Sequence, residues 1–205
     1  MEDAMTRPYP SDVAFTPAVK EIQARKGSRA AYARMEESTG WRTEITADLR
    51  AFLAERNSAY LATATADGQP YIQHRGGPKG FLVPLDAHRI GFADYKGNKQ
   101  FISQGNLTEN PKAYLFLMDY MNQRRVKIWG TAEVIEDDPF LVERLMPENY
   151  RARPEQAIVF TVAAWDTNCP QHIPQMFGAE DVSKALAERD EKIARLEAEL
   201  AALRG

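Results

Sequence analysis

Residues 67–110 carry the pattern that decides the fold: DGQPYIQHRGGPKGFLVPLDAHRIGFADYKGNKQFISQGNLTEN. Asp67-Gly68 is a typical hairpin turn, and it leads into the polar strand 71–75. Two apolar strands follow before the segment Tyr95–Gln100, which we expect to open a short helix that holds Ser103. Short strands joined by tight turns, with one helical insertion, predict an antiparallel sheet.

Two clusters of cationic and amide side chains flank the two apolar strands. The first consists of Gln73, His74 and Arg75 and precedes two glycines. The second consists of Lys96, Asn98 and Lys99 around a glycine. Lysines at a helix start add to its free N–H groups and positive dipole end, a combination that binds phosphate. Because glycine also lets backbone approach a flat ring, the pattern predicts a phosphorylated planar ligand.

The rest of the chain extends this pattern on both sides. We predict strands at 60–64, 71–75, 81–85, 90–93, 113–118, 126–135 and 157–165. We predict helices at 17–37, with a weak point at Gly27-Ser28, and at 43–56, 98–109 and 140–146. This succession indicates a mainly β protein with helices, built as an antiparallel β-barrel. We expect N-terminal helices that pack on the barrel (1–57), the barrel itself (58–178) and a C-terminal amphipathic helix (179–205).

The C-terminal segment has a different periodicity, a heptad seam with one charged member. The seam residues are Val182, Leu186, Arg189, Ile193, Leu196, Leu200 and Leu203. Spacings that alternate between four and three are typical of a coiled coil, but a helix packed on its own barrel can show the same stripe. The sequence leaves both arrangements open.

Composition excludes several classes of protein. A net charge of −3 gives no broad attraction to nucleic acid or to an anionic membrane. No apolar run approaches the roughly 20 residues that span a bilayer, so we expect a cytoplasmic protein with no membrane partner. The single cysteine, Cys169, excludes an internal disulfide, and we expect a buried, inert thiol. His74, His88 and His172 lie at no metal-ligand spacing.

The motif order from Ser58 to Trp165 resembles the pyridoxamine 5′-phosphate oxidase-like family of flavin-binding split barrels. The motifs that carry the resemblance are the hairpin 64–70, the strand 80–83, the segments 94–98 and 103–107, Asn110-Pro111 and the strand 125–130. Flanking segments at 15–20 and 165–174 are similar to an uncharacterised subgroup. The oxidase proper carries a Trp and an Arg near its C-terminus, whereas here Trp165 is followed by no arginine before Pro174. Oxidation of pyridoxamine phosphate is therefore not the expected activity.

The resemblance implies a split barrel that binds FMN, with FAD as the alternative, at the interface of a homodimer. It implies that Gln73, His74 and Arg75 line the ring and ribityl chain. It implies that Lys96, Asn98, Lys99 and Ser103 hold the phosphate. The remaining implied contacts are Gln123, Arg124 and Arg125 from the other subunit, and Trp165.

Two functions follow from this resemblance. The first is a flavin-dependent oxidoreductase that acts on a small molecule, in which direct hydride transfer to the flavin requires no side chain as acid or base. The second is a non-catalytic module, such as a redox sensor or flavin carrier. A haem-binding relative on the same barrel is a third, less favoured possibility.

Overall fold

The computed structural model describes residues 9–167 and 170–204. Cys169, predicted to be a buried inert thiol, lies outside these residues. The strands are β1 (Ser58–Ala64), β2 (Pro70–Gly76), β3 (Val83–Pro84), β4 (Arg89–Tyr95), β5 (Lys112–Asp119), β6 (Arg124–Ile135) and β7 (Pro154–Thr167). The helices are α1 (Pro17–Arg25), α2 (Arg29–Glu37), α3 (Ala47–Ala54), α4 (Ile102–Glu109), α5 (Pro139–Leu145) and α6 (Ala179–Arg204).

The seven strands form one antiparallel sheet in the order β2-β1-β5-β6-β7-β4-β3. Alternate residues of β1 and β5 are buried, so one face of these strands carries the core and the other is more exposed. Leu61 of β1 pairs with Leu115 of β5, and both are completely buried. The mainly β, antiparallel barrel fold predicted from the sequence is confirmed.

The N-terminal helices form where local signals place them. Thr16 caps α1 through its hydroxyl, which accepts from the N–H of Val19, and a proline occupies the first turn. The predicted helix 17–37 is two helices, because Gly27 adopts a left-handed φ of 81° and ends the first. Helix α3 contributes Leu49, Phe52 and Leu53 to the core beneath the sheet.

Strand β7 holds the sheet together, because it pairs with β6 on one side and with β4 on the other. The ladder to β6 shifts its register between Trp129 and Gly130. A Cβ atom built on Gly130 would lie 1.9 Å from the carbonyl oxygen of Thr161. Only glycine therefore permits the two backbones to approach this closely at the bulge.

The start of α4 differs from the prediction. The helix begins at Ile102 instead of at residue 98, so Lys96 and Lys99 precede it and do not occupy its first turn. The reason is local backbone conformation, since Lys99 and Phe101 have left-handed φ angles of 61° and 54°. Such angles are incompatible with a continuous right-handed helix through this segment.

The chain divides into two compact units, and the three-part division predicted from the sequence stays a prediction. The first unit comprises residues 9–118 and 125–167 and contains the core. The second comprises 119–124 and 170–204. Within it, Gln123 Nε2 donates to the carbonyl oxygen of Ile173 at 2.6 Å, and Gln175 Nε2 donates to that of Met121 at 2.9 Å.

Among the described residues, no helix combines the length and the apolar character that crossing a membrane requires.

Candidate functional site

An open cleft of about 460 Å³, its mouth included, lies within the first unit beside β2, β4 and the start of α4. The cleft is lined mainly by amide, charged and aromatic side chains. The lining residues are Tyr71, Gln73, Arg75, Asp94, Tyr95, Gly97, Asn98, Lys99, Gln100, Phe101, Ile102, Ser103, Gln104, Glu155 and Gln156.

An ion pair between Arg75 and Asp94 forms part of the lining of the cleft. Arg75 belongs to β2, at one end of the strand order, and Asp94 belongs to β4, next to the other end. The two side chains are only 13% and 15% exposed. The sheet therefore curls until its two ends meet through side chains, and within residues 9–167 and 170–204 no backbone ladder joins β2 to β4. We call this junction between β2 and β4 the split of the barrel, and the cleft lies there.

Helix α4 is held against the split by three side-chain hydrogen bonds. Ser103 Oγ donates to Gln73 Oε1 at 2.9 Å, which ties the helix to β2. Asn106 Nδ2 donates to Thr63 Oγ1 of β1 at 3.0 Å in a fully buried contact. Gln156 Nε2 of β7 lies 3.5 Å from Gln104 Oε1. These bonds fix the first turn of α4 at the edge of the cleft.

The charges in the cleft are balanced. Lys99 and Arg75 contribute two cations, while Asp94 and Glu155 contribute two anions. Asp94 is satisfied twice, because its second carboxylate oxygen accepts from Gln156 Nε2 at 2.9 Å. A ligand therefore meets directed hydrogen-bonding groups, and no strong net positive field attracts it.

Two buried donors at the cleft have no hydrogen-bond partner within residues 9–167 and 170–204. They are the Nε of Arg75 and the hydroxyl of Tyr95, whose pKa is raised by burial and, less strongly, by Tyr150. A third source of donors is the start of α4, where no side chain caps the first-turn N–H groups. Unsatisfied donors in a concave site fit a ligand rich in acceptor oxygens. A phosphorylated heteroaromatic molecule has this character.

Five of the predicted site residues line the cleft together: Gln73, Arg75, Asn98, Lys99 and Ser103. Asn98 Oδ1 accepts from the N–H of Gln100 at 3.2 Å, which leaves its amide N–H₂ for a ligand. The hydroxyl proton of Ser103 is already donated to Gln73. Ser103 thus positions Gln73, and in this arrangement it has no proton for a phosphate.

Three other predicted contacts are placed elsewhere. His74 lies on the opposite face of β2, where its Nε2 is 3.0 Å from Ser58 Oγ. Lys96 is exposed and is not among the residues that line the cleft. Trp165 is 4% exposed in the core, and its Nε1 donates to the carbonyl oxygen of Glu44 at 2.7 Å. The structure gives Trp165 a packing role, so its contact with a flavin stays a prediction without support from this geometry.

The group 123–125 is also divided. The amide of Gln123 bonds within the second unit, as described above, and Arg124 is the first residue of β6. Arg125 alternates with the buried Val126 and thus lies on the outer face of the sheet. Its Nε is buried without a hydrogen-bond partner in the described part of the chain.

The pyridoxamine 5′-phosphate oxidase family model matches residues 45–169, more than half of the chain. The chain belongs to this family. The resemblance inferred from the motifs is thereby confirmed. No curated protein sequence matches the chain.

Solved structures related to the pyridoxamine 5′-phosphate oxidase fold match at low identity. An FMN-binding protein from Syntrophomonas wolfei is 13% identical, with a TM-score of 0.50 and coverage of 71% of this chain and 97% of that chain. HupZ from Group A Streptococcus is 17% identical, with a TM-score of 0.49 and coverage of 65% and 99%. A putative pyridoxamine 5′-phosphate oxidase from Lactobacillus delbrueckii is 22% identical, with a TM-score of 0.46 and coverage of 61% and 95%. At such identities the first of these supports the fold alone.

Sequence reasoning missed Asp94, Gln156 and Phe101. The position of Asp94 directly after the apolar strand 90–93 was a usable signal, because a carboxylate beside a buried strand requires a partner. Gln156 comes from a distant strand, and no local pattern marks it. Phe101 is 54% exposed on the rim of the cleft, but in the sequence it resembles an ordinary core residue of a helix.

Replacement of Asp94 by Asn tests the closure of this pyridoxamine 5′-phosphate oxidase-type barrel. We expect Asp94→Asn to lower the free energy of unfolding by about 1–3 kcal/mol, because a largely buried guanidinium loses its counter-charge. Arg75→Met in the Asp94→Asn background should cost less than the sum of the two single changes. Urea unfolding of the four proteins measures this coupling. Additive effects would contradict a closing role for the pair.

Proposed function

We propose that the chain binds a flavin nucleotide in the cleft, with FMN as the first candidate and FAD as the second. The observation that carries this proposal is the set of unsatisfied donors at the split of a barrel of this family. The related fold from Syntrophomonas wolfei, which is described as an FMN-binding protein, supports the choice of ligand. Net charge does not drive binding, so the affinity depends on directed contacts.

The phosphate end of the ligand lies, in this proposal, against Lys99, Asn98 and the first turn of α4. Lys99 supplies a cation at the rim, and the amide of Asn98 supplies a free donor. The uncapped N–H groups of α4 and its positive dipole end add to both. A cation, an amide and backbone donors together satisfy the several oxygens of a phosphate.

The ring end lies against β2. The buried Nε–H of Arg75 has no partner within the described residues and is suited to an acceptor atom of a heteroaromatic ring. Gln73 is oriented by Ser103, because the hydroxyl of Ser103 holds its carbonyl oxygen. The exposed ring of Phe101 at the rim offers an apolar surface that excludes water from a planar ligand.

We further propose that the protein is an oxidoreductase for a small molecule. A bound flavin supplies the hydride and electron transfer, while this chain binds, orients and shields it. No acid or base is required of the cleft in this scheme. Asp94 is held by two partners and is therefore assigned to binding geometry instead of to proton transfer.

The open face of the sheet supports a homodimer. Along β2, β1 and β5, Ile72, Ala62 and Tyr114 form one cross-strand row, and His74, Tyr60 and Phe116 form the next. Ile72 is 64% exposed within the single chain. Burial already raises the pKa of Tyr114 to about 12, although nearby Arg125 acts in the opposite direction. An apolar aromatic face of this kind is typical of a subunit interface.

On β6 the same face is already covered. Trp41 stacks on Trp129 with ring centroids 4.5 Å apart, and Lys127 Nζ lies 5.2 Å from the Trp129 ring centroid. The less covered part of this face is the β2-β1-β5 surface, where Ile72 and His74 are exposed and the other members of the two rows are half-buried. We propose that a second copy covers it and that Arg125 of β6 completes the flavin site of the opposite subunit. The assignment of Gln123 and Arg124 to that site stays a prediction.

Lys99→Ala tests the phosphate contact. We expect FMN binding to weaken by about 1–2 kcal/mol, because a charge-assisted contact to the phosphate is lost. Riboflavin, which lacks the phosphate, should bind the variant and the parent alike. Lys96→Ala should weaken FMN binding less, since Lys96 is outside the cleft lining. Titration by flavin fluorescence quenching measures all three, and equal losses for FMN and riboflavin would contradict the phosphate assignment.

Anaerobic mixing with NADH and NADPH tests the oxidoreductase. We expect the flavin absorbance near 450 nm to bleach within minutes with at least one donor, because the mouth of the cleft gives a nicotinamide access to the bound flavin. Dithionite serves as the positive control for reducibility. Bleaching by dithionite alone, with neither nicotinamide donor effective over hours, would favour the sensor or carrier module.

Ile72→Asp tests the dimer. Because this side chain is exposed in the single chain, the fold should persist while the interface acquires a buried charge. We expect sedimentation velocity to show dimeric parent protein and largely monomeric variant. Ile22→Asp, which alters an exposed isoleucine of α1, is the matched control and should remain dimeric. A monomeric parent that retains flavin would overturn the interface site.

A further inference from the structure

The apolar stripe of α6 is exposed along its whole length. Helix α6 runs from Ala179 to Arg204, and the described part of the chain buries none of its residues. The six apolar seam residues are between 45% and 85% exposed: Val182, Leu186, Ile193, Leu196, Leu200 and Leu203. A helix of this length with an exposed leucine and isoleucine stripe requires a partner. Most of the stability of such a helix comes from burial of its apolar face, and the single chain does not bury it.

We propose that α6 pairs with α6 of a second copy as a parallel, two-stranded coiled coil. The heptad register places Leu186, Ile193 and Leu200 at position a. Val182, Leu196 and Leu203 occupy position d, together with Arg189. The apolar seam alone is compatible with several partners, so the charges beside it decide which partner fits.

The charges at positions e and g fit the parallel arrangement. In a parallel pair, each g residue faces the e residue five positions later on the other helix. Lys192 then faces Glu197 of the second copy, and Glu199 faces Arg204. Two-fold symmetry repeats each contact, so four opposite-charge pairs form. The remaining pairing joins Ala185 to Asp190 and contains no repulsion.

The antiparallel arrangement fits less well. With the two seams in full overlap, e residues face e residues and g residues face g residues. Lys192 then faces Glu199, which is favourable, but Asp190 faces Glu197, which is repulsive. Each contact again occurs twice, so the attractive and repulsive pairs cancel. The pattern of charge therefore selects the parallel register.

Arg189 is compatible with this register. In a parallel pair, a side chain at d inserts into a hole on the other helix. One border of that hole is the e residue that follows the equivalent d residue. That e residue is Asp190, so a carboxylate of each copy lies beside the guanidinium of the other. Arg189 thus has a counter-charge in the parallel pair. A charged residue in the seam weakens the association of the two helices, but it also fixes their alignment, because only one register places Arg189 beside Asp190.

A disulfide-trapping experiment on the full chain tests the proposal. Cys169→Ser removes the only native thiol, and Leu203→Cys places a new one at position d near the end of α6. The effective concentration of the two thiols is measured as disulfide yield in a glutathione redox buffer. Ala198→Cys, at the outward-facing position f, is the matched control. We expect the position-d thiols to show an effective concentration at least about tenfold above the control.

Charge reversal then identifies the register. Glu197→Lys has no charged neighbour three or four residues away within its own helix, so its effect reports on the other helix. In the parallel pair it opposes Lys192, and we expect the effective concentration at position 203 to fall roughly three- to tenfold. The double variant Lys192→Glu with Glu197→Lys restores the pair and should return to within about twofold of the parent.

Each contrary result has a distinct meaning. A position-203 yield no greater than the control overturns the parallel pair, as expected if the two helices run antiparallel, with their residues 203 at opposite ends, or if α6 packs on a barrel or on a different protein. An unchanged or higher yield with Glu197→Lys overturns the assigned contact, because the introduced lysine then does not face Lys192 of the second copy. Circular dichroism of every variant verifies that α6 remains helical. The outcome does not depend on flavin binding, which is assayed separately.

Discussion

The ion pair between Arg75 and Asp94 closes the barrel from which the candidate site is built. Among the described residues, backbone ladders join neighbouring strands in the order β2-β1-β5-β6-β7-β4-β3, and no ladder joins β2 back to β4. Side chains make the return from β4 to β2: Arg75 pairs with Asp94, and Gln156 of β7 donates to the second carboxylate oxygen of Asp94. A barrel closed in this way keeps an opening between β2 and β4, where side-chain contacts take the place of backbone hydrogen bonds. The cleft and the first turn of α4 occupy that opening.

Closure by a largely buried ion pair also sets the electrostatics of the site. Removing two charges from water is costly, and the cost is offset only where each charge is well hydrogen-bonded. Asp94 meets this condition through Arg75 and Gln156, whereas Arg75 keeps one buried N–H without a partner in the described part of the chain. The same group that closes the barrel therefore retains a donor for a ligand. In the proposed flavin site, this guanidinium would therefore serve both the closure of the barrel and the binding of the ligand.

Local patterns predicted most elements, since their causes are local. Alternation of buried residues in β5 and turn signals such as Asp67-Gly68 determine strands within a few residues. The start of α4 was predicted four residues early, because left-handed angles at Lys99 and Phe101 have no signature in their residue types. Successive side chains of a strand point to opposite faces, so His74 lies on the other face of β2 from Gln73 and Arg75. The prediction that all three line one site did not take this alternation into account.

By itself, the sequence determined the antiparallel barrel, the family, five of the residues that line the cleft and the heptad seam of α6. Each depends on short-range periodicity or on motifs contained in one segment. The tertiary structure decided which cations face the cleft, that Asp94 and Gln156 join them and that Trp165 belongs to the core. These outcomes depend on contacts between residues far apart in the chain, such as Asp94 with Gln156 and Trp165 with Glu44. Strand register and sheet curvature set such contacts, and no single segment encodes them.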